Sequence, residues 1–241
     1  MTATPETTIR EIVASDYRTA AIFQRHGLDF CCNGCQTIQQ GCDKSGADPG
    51  VVIRDLDAVL TTAAAGVPRF SAWDARTLIA YIVDNHHAYV REALPPLLRH
   101  TDKISAVHGQ RHPELLHIAK LFARVADEMV DHMAKEEGVL FPFIAALEDA
   151  AAQRAAPPAA PFGRVANPIH MMEAEHQFVG DAMAEMRHLT AGFTPPEDAC
   201  ATYRVCLQEL DAFEQDLHNH VHLENNLLFP KAADLEAQRS R

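Results

Sequence analysis

Residues 132–143 read His-Met-Ala-Lys-Glu-Glu-Gly-Val-Leu-Phe-Pro-Phe, and residues 220–231 read His-Val-His-Leu-Glu-Asn-Asn-Leu-Leu-Phe-Pro-Lys. Both contain His-x3-Glu-x3-Leu-Phe-Pro, with His132 and Glu136 in the first copy and His220 and Glu224 in the second, 88 residues later. A further histidine precedes each copy, His87 by 45 residues and His176 by 44. His87 precedes Ala88-Tyr89-Val90, and His176 precedes Gln177-Phe178-Val179. The chain is therefore read as a duplicated helix pair, each half carrying two imidazoles and one carboxylate.

Working outward, residues beyond 66 give four helical segments and no strand pattern, at about 71–99, 113–149, 165–191 and 196–235. Ser71 and Pro113 are read as helix starts, and the run Ala155-Ala156-Pro157-Pro158-Ala159-Ala160-Pro161 breaks the chain between the halves. The fold class expected is all-α, an up-down-up-down four-helix bundle over 67–241 behind a small helical, Cys-containing N-terminal domain over 1–66. Within the small unit, helices are expected at Ile9–Arg25 and near Pro49–Ala65, with a hinge at Ala64-Ala65-Gly66-Val67-Pro68.

The apolar seams contain the polar residues. They run Val83, His87, Val90, Leu94 on the first helix; Ile118, Phe122, Val125, Met129, His132, Glu136, Val139, Phe143 on the second; Ile169, Met172, His176, Val179, Met183, Met186 on the third; and Leu210, Phe213, Leu217, His220, Glu224, Leu228 on the fourth. Steps of three and four mark a core-facing stripe. Burying an ionised carboxylate without compensation is costly, and metal ions compensate such a set well. Positions i and i+4 lie about 40° apart around a helix and about 6 Å along it, so one pair can reach one point. Imidazole with carboxylate, and no thiolate, suits non-haem iron or manganese better than structural zinc. Two bridging glutamates with two histidines per metal leave room for an oxo or hydroxo bridge. The metal ligands expected are His87, His132, Glu136, His176, His220 and Glu224.

An isolated His-x3-Glu is usually a surface helix pair; the matched copies and upstream histidines reverse that reading. The repeat favours His87 over His86. His218 and His222 are read as solvent-facing, as are His100, His108, His112, His117 and His188, and His170 as no ligand. Glu173 is read as an outer partner of the site or a gate to it, and Glu175 as lying beside the ligand rather than on metal.

Net charge is -12, which argues against nucleic acid or an anionic membrane as partner. No apolar run approaches a membrane span. Residues 1–11 are polar with no h-region, so a cytoplasmic location is expected. Four of the six cysteines, Cys31, Cys32, Cys35 and Cys42, cluster in one region, pointing to thiol or metal chemistry rather than a disulfide framework. Cys32-x2-Cys35 is the better redox or metal pair by spacing, because adjacent cysteines bridge only with unusual peptide geometry; the plain alternative is a set of small turn residues. Cys200 and Cys206 read as ordinary helix residues.

Several stretches together, Phe30-Cys31-Cys32, His132-Met133-Ala134-Lys135-Glu136-Glu137, Met172-Glu173-Ala174-Glu175-His176 and His220-Val221-His222-Leu223-Glu224-Asn225-Asn226, resemble the repair-of-iron-centres family of hemerythrin-like di-iron proteins over nearly the whole chain. The resemblance implies the same six ligands around two non-haem irons. It also implies repair of iron-sulfur clusters damaged by nitric oxide or oxidants, by iron donation or by reduction of nitric oxide to nitrous oxide. Damaged iron-sulfur proteins would be the partners, nitric oxide or oxygen the small ligands, and Cys31 and Cys32 the catalytic candidates; a homodimer stays open. Cys35 and Cys42 depart from the family's Cys-Cys pattern. The alternatives are a non-enzymatic module that binds or senses nitric oxide or oxygen, and a ferritin-like oxidase. The second would need a Glu-x2-His pair on two helices; Glu173-x2-His176 fits that spacing, but it has no counterpart before His87, where the position is Asp84 rather than Glu.

Overall fold

The computed structural model describes residues 3–62, 68–156 and 158–238. Four short helices make the N-terminal unit: α1 (Ile9–Ser15), α2 (Ala20–Arg25), α3 (Ile38–Ser45) and α4 (Pro49–Leu60). Four long ones follow: α5 over 75–108, α6 over 114–152, α7 (Ala166–Leu189) and α8 over 201–237. Each long helix packs against the next, and α8 returns against α5, which closes the up-down-up-down ring. Among the described residues there is no strand, only one isolated bridge between Thr8 and Thr37.

Local chemistry explains the boundaries that differ from expectation. The single helix expected over Ile9–Arg25 breaks at Asp16, whose extended backbone (φ -152°) ends α1 and whose carboxylate caps the 3-10 turn Tyr17–Thr19. Helix α3 was not anticipated, although Thr37 and Gln40 form a capping box and Gly46 closes the helix at φ 75°. Helix α5 starts at Ala75 rather than Ser71, because Asp74 accepts from the Thr77 amide at 2.8 Å. It runs through Pro95 and Pro96 to His108, beyond the expected end near 99. The helix expected near Pro49–Ala65 is α4, which ends at Leu60. The hinge at residues 64–67 lies outside the described residues.

Three wide π turns interrupt the long helices: Ile82–His87 in α5, Glu136–Leu140 in α6 and Glu224–Leu228 in α8. In the last two, the amide of Phe141 donates to Glu136 O and that of Phe229 to Glu224 O, five residues back. The Leu-Phe-Pro ending acquires its meaning here: proline lacks an amide proton and crowds the turn before it, and a widened turn accommodates it. The extra residue also resets the seam. Val139, expected inside, is 49% exposed, whereas Leu140 is buried.

The polar layer divides the apolar interior. On one side lie Leu78, Ile82, Leu140, Ile144, Ile169, Met172 and Phe229; on the other lie Leu97, Phe122, Val125, Met183, Leu210 and Phe213. The second cluster continues without a break into Ile9, Ile12, Phe23, Phe30, Ile38 and Leu56 of the N-terminal unit. The small unit and the bundle thus share one core.

Candidate metal centre

All six residues singled out by the repeat are buried, none more than 2% exposed. They form two groups that share both carboxylates: His87, His220, Glu136 and Glu224, and His132, His176, Glu136 and Glu224. In the first, the Nε2 atoms of His87 and His220 are 3.1 Å apart, His87 Nε2 is 3.3 Å from Glu136 Oε2, and His220 Nε2 is 2.9 Å from Glu224 Oε1. In the second, the Nε2 atoms of His176 and His132 are 3.0 Å apart, with His132 Nε2 at 3.3 Å from Glu136 Oε2 and His176 Nε2 at 3.0 Å from Glu224 Oε2. The π turns at Glu136 and Glu224 begin on the carboxylates themselves, and the one in α5 ends on His87.

These separations fit a metal. Nitrogen and oxygen ligands at about 2.1 Å from one ion and about 90–100° apart lie about 3.0–3.2 Å from each other. The hydrogen-bond inventory points the same way, since both oxygens of Glu136 are buried with no hydrogen-bond partner among the described residues. Such atoms are rare without a reason. Among the described residues, the donor set is imidazole and carboxylate with no thiolate, a set suited to non-haem iron.

The charges of the cluster are strongly coupled. Burial opposes protonation of His87, but Glu136 and Glu224 outweigh it and raise its pKa to about 10. Burial likewise opposes protonation of His176, and Glu224 raises its pKa to about 9. Burial pushes His220 down against the pull of Glu224. Burial works against ionisation of Glu224, yet His220, His176 and His87 hold it well below the usual carboxylate range. Ligation needs these imidazoles neutral, so metal binding is coupled to pH.

Outer partners orient the rings. His87 Nδ1 donates to Glu137 Oε1 at 2.6 Å, and Arg91 donates to the same oxygen at 2.5 Å. His132 Nδ1 donates to Glu175 Oε2 at 2.8 Å, with Lys135 on Oε1 at 2.5 Å. His176 Nδ1 donates to Asn225 Oδ1 at 3.0 Å. Fixing Nδ1–H outward aims the Nε2 lone pair inward. Sequence reasoning had not singled out Glu137 or Asn225, though they are repeat mates, each following a glutamate of the site. Glu175 lies beside His176 as expected but serves His132. Glu173, expected as an outer partner of the site or a gate to it, is exposed.

The thiol loop sits over this end of the bundle. Cys31 and Cys32 have sulfurs 3.8 Å apart, and Asp29 Oδ1 lies 3.3 Å from Cys31 Sγ. The thiol facing Cys32 is therefore Cys31, not Cys35 as spacing suggested; Cys35 is exposed, Cys42 is buried, and all six cysteines are free. The adjacent Cys32 thiol and then burial push the Cys31 thiol well above its ordinary range. Both cysteines line a cavity of about 380 Å³ with Phe30, Gly180, Arg187 and His218. Asn225 links loop to site: its amide donates to Cys31 O at 3.2 Å while its oxygen accepts from His176. Beside it, Asn226 donates to Phe30 O at 2.9 Å and meets His222 Nδ1 at 2.9 Å.

That docking corrects the expectation that His218 and His222 face solvent. His222 is 1% exposed under Phe30 and Tyr17, and burial pushes its pKa down to about 3. His218 is half-buried against Phe30. His108 is also buried, at the far end of the bundle, where Nε2 lies 3.2 Å from Cys200 Sγ. His100 and His112 are half-buried on Glu209 and Asp198, while His117, His170 and His188 are exposed. Cys200 precedes α8 rather than lying within it. His86 is buried next to the site but bonds Asp216, at 2.8 Å.

A four-helix bundle whose facing helices converge histidines and shared carboxylates on one buried layer defines a hemerythrin-type cation-binding protein. The family model described as hemerythrin HHE cation binding domain matches residues 78–232, and the ScdA_N domain of unknown function (DUF542) matches residues 5–60. The chain is 36% identical over 219 residues to the iron-sulfur cluster repair protein YtfE of Yersinia pestis (strain Pestoides F), covering 89% of this chain and 91% of that protein. The same identity and coverage hold for YtfE of Yersinia pseudotuberculosis serotype O:1b (strain IP 31758). The chain belongs to the repair-of-iron-centres family.

Proposed function

We propose that this chain is a di-iron protein that repairs iron-sulfur clusters damaged by nitrosative or oxidative stress. His87, His132, Glu136, His176, His220 and Glu224 would hold two non-haem irons, with Glu136 and Glu224 bridging them and an oxo or hydroxo group between. The observation that carries the reading is the convergence of four Nε2 atoms and two shared carboxylates in a buried layer where Glu136 has no hydrogen-bond partner among the described residues. The relatives' printed role in cluster repair directs it to that task.

Bound iron supplies redox chemistry and affinity for small ligands such as nitric oxide or oxygen. The chain's own groups do the rest. Glu137, Glu175 and Asn225 hold three rings in ligating orientation. The apolar clusters above and below exclude water. Cys31 and Cys32, in the lining of the cavity of about 380 Å³, are the acceptor or donor thiols, with the Asn225 side chain between the Cys31 carbonyl and His176. Among the described residues no helix is long and apolar enough to cross a membrane, and we place the protein in the cytoplasm with damaged iron-sulfur proteins as partners.

Metal analysis with Mössbauer spectroscopy tests the centre, with a coupled iron pair expected. Iron transfer to an apo iron-sulfur protein, and nitrous oxide formed from nitric oxide under anaerobic conditions, test the task. A Cys31→Ser, Cys32→Ser variant that repairs clusters as well as the parent chain would remove the thiols from the proposal.

A further inference from the structure

We infer that the two halves of the centre hold metal unequally, and that the half built from His87 and His220 gives up its ion first. This inference rests on the reading of the six residues as ligands of two ions. It follows from the way the duplication places outer partners. In each half, the residue after the shared glutamate accepts from the upstream histidine: Glu137 from His87 at 2.6 Å, Asn225 from His176 at 3.0 Å. The residue before the upstream histidine should accept from the remaining ring. Glu175, before His176, does so for His132 at 2.8 Å.

Its counterpart before His87 is His86, and the pattern fails there. His86 Nδ1 bonds Asp216 Oδ1 at 2.8 Å, and its ring stacks on that of His220, with centroids 5.7 Å apart and planes 6° from parallel. His220 Nδ1 is left buried without a hydrogen-bond partner among the described residues. One half therefore has both rings buttressed and the other has one. The buttress of the weaker half is also the wetter: the Glu137 side chain is 31% exposed, against 13% for Glu175. Outer partners of metal-ligating histidines are each worth about 10–100-fold in metal affinity, which sets the inequality at about tenfold or more.

The arrangement divides labour. The retained ion lies in the half tied through Asn225 to the thiol loop. The released one lies on the opposite side, against His86 and Asp216, so a thiolate-rich acceptor of ferrous iron would draw from that side.

The test loads the full chain with ferrous iron without oxygen and follows its capture by a ferrous-selective chelator. Two phases are expected, about tenfold or more apart, each carrying one ion per chain. Mössbauer spectra of the 57Fe-loaded protein taken between the phases should have lost one of two signals. His86→Gln should slow the fast phase about tenfold, since its amide can donate to Asp216 and accept from His220. Glu175→Gln and, independently, Asn225→Ala should speed the slow phase and leave the fast one alone. A single phase for both ions, or Glu175→Gln and Asn225→Ala acting on the fast phase, overturns the inference. So does a faster fast phase in Asp216→Asn, which would show His220 buttressed from its own helix. A chain that never binds a pair of ions refutes the ligand assignment itself, a distinct outcome.

Discussion

Replacing Asn226 by alanine is expected to loosen the N-terminal unit from the bundle. Its amide nitrogen serves Phe30 O and His222 Nδ1, both at 2.9 Å, and the residue is only 6% exposed. Truncation leaves a buried carbonyl and a buried imidazole nitrogen without this donor, at about 1–3 kcal/mol each, so a loss of about 2–6 kcal/mol is expected. The loop above is seated directly on this side chain. A Cβ added at Gly34 would stand 2.5 Å from Asn226 Oδ1 and 3.0 Å from Phe30 O. Gly34→Ala alone should then cost about 1–3 kcal/mol through overpacking. In the Asn226→Ala background its worst clash is gone, so the two costs should fall short of additive by about 1 kcal/mol. Urea denaturation of the four chains of this cycle measures it. Strict additivity, or an Asn226→Ala chain within about 0.5 kcal/mol of the parent, would refute the account of the docking contact.

Three further outcomes are expected. Val139→Ala should change stability by less than about 0.5 kcal/mol, whereas Leu140→Ala should cost about 2–5 kcal/mol, as thermal or urea melts will report; equal costs would place the π turn wrongly. Glu136→Ala should abolish retention of the full iron pair on metal analysis while far-ultraviolet circular dichroism stays helical. Burial raises the Cys206 thiol to about 12, so the unfolded chain loses this proton near the ordinary thiol value while the folded chain keeps it. Its contribution is thus intact below about pH 8.5 and falls as pH rises toward 12, by up to about 1.4 kcal/mol per pH unit. Cys206→Ala should flatten that alkaline limb, and an unchanged slope counts against the assignment.

The duplicated string was enough to select the six converging residues because burial of charge leaves few sequence solutions, and a repeat doubles each clue. The same alignment carries further information. Leu140 is the mate of Leu228, and following that match rather than the three-residue step would have placed Leu140, not Val139, inside. Glu137 and Asn225 were likewise visible as mates, though their chemistry differs. His222 could not be found this way. Whether a position on α8 faces solvent depends on what docks there, and the docking loop is about 190 residues distant in sequence, as the Asn226–Phe30 bond shows. Periodicity along one helix carries no information about that neighbour. Spacing alone favours Cys35 as the partner of Cys32, whereas the resemblance points to Cys31 and Cys32; the turn around Asp29 brings the latter two together.

The continuous core has a practical consequence for dissecting this protein. Deleting residues 1–66 would do more than remove two thiols. It would uncover the apolar surface that Phe30, Ile12 and Phe23 now cover, and bring His222 and Asn226 into water. A truncated bundle that fails to hold iron or to repair clusters would therefore report a wounded scaffold, and only point changes at the sulfurs can separate the loop's chemistry from its role as a lid on the fold.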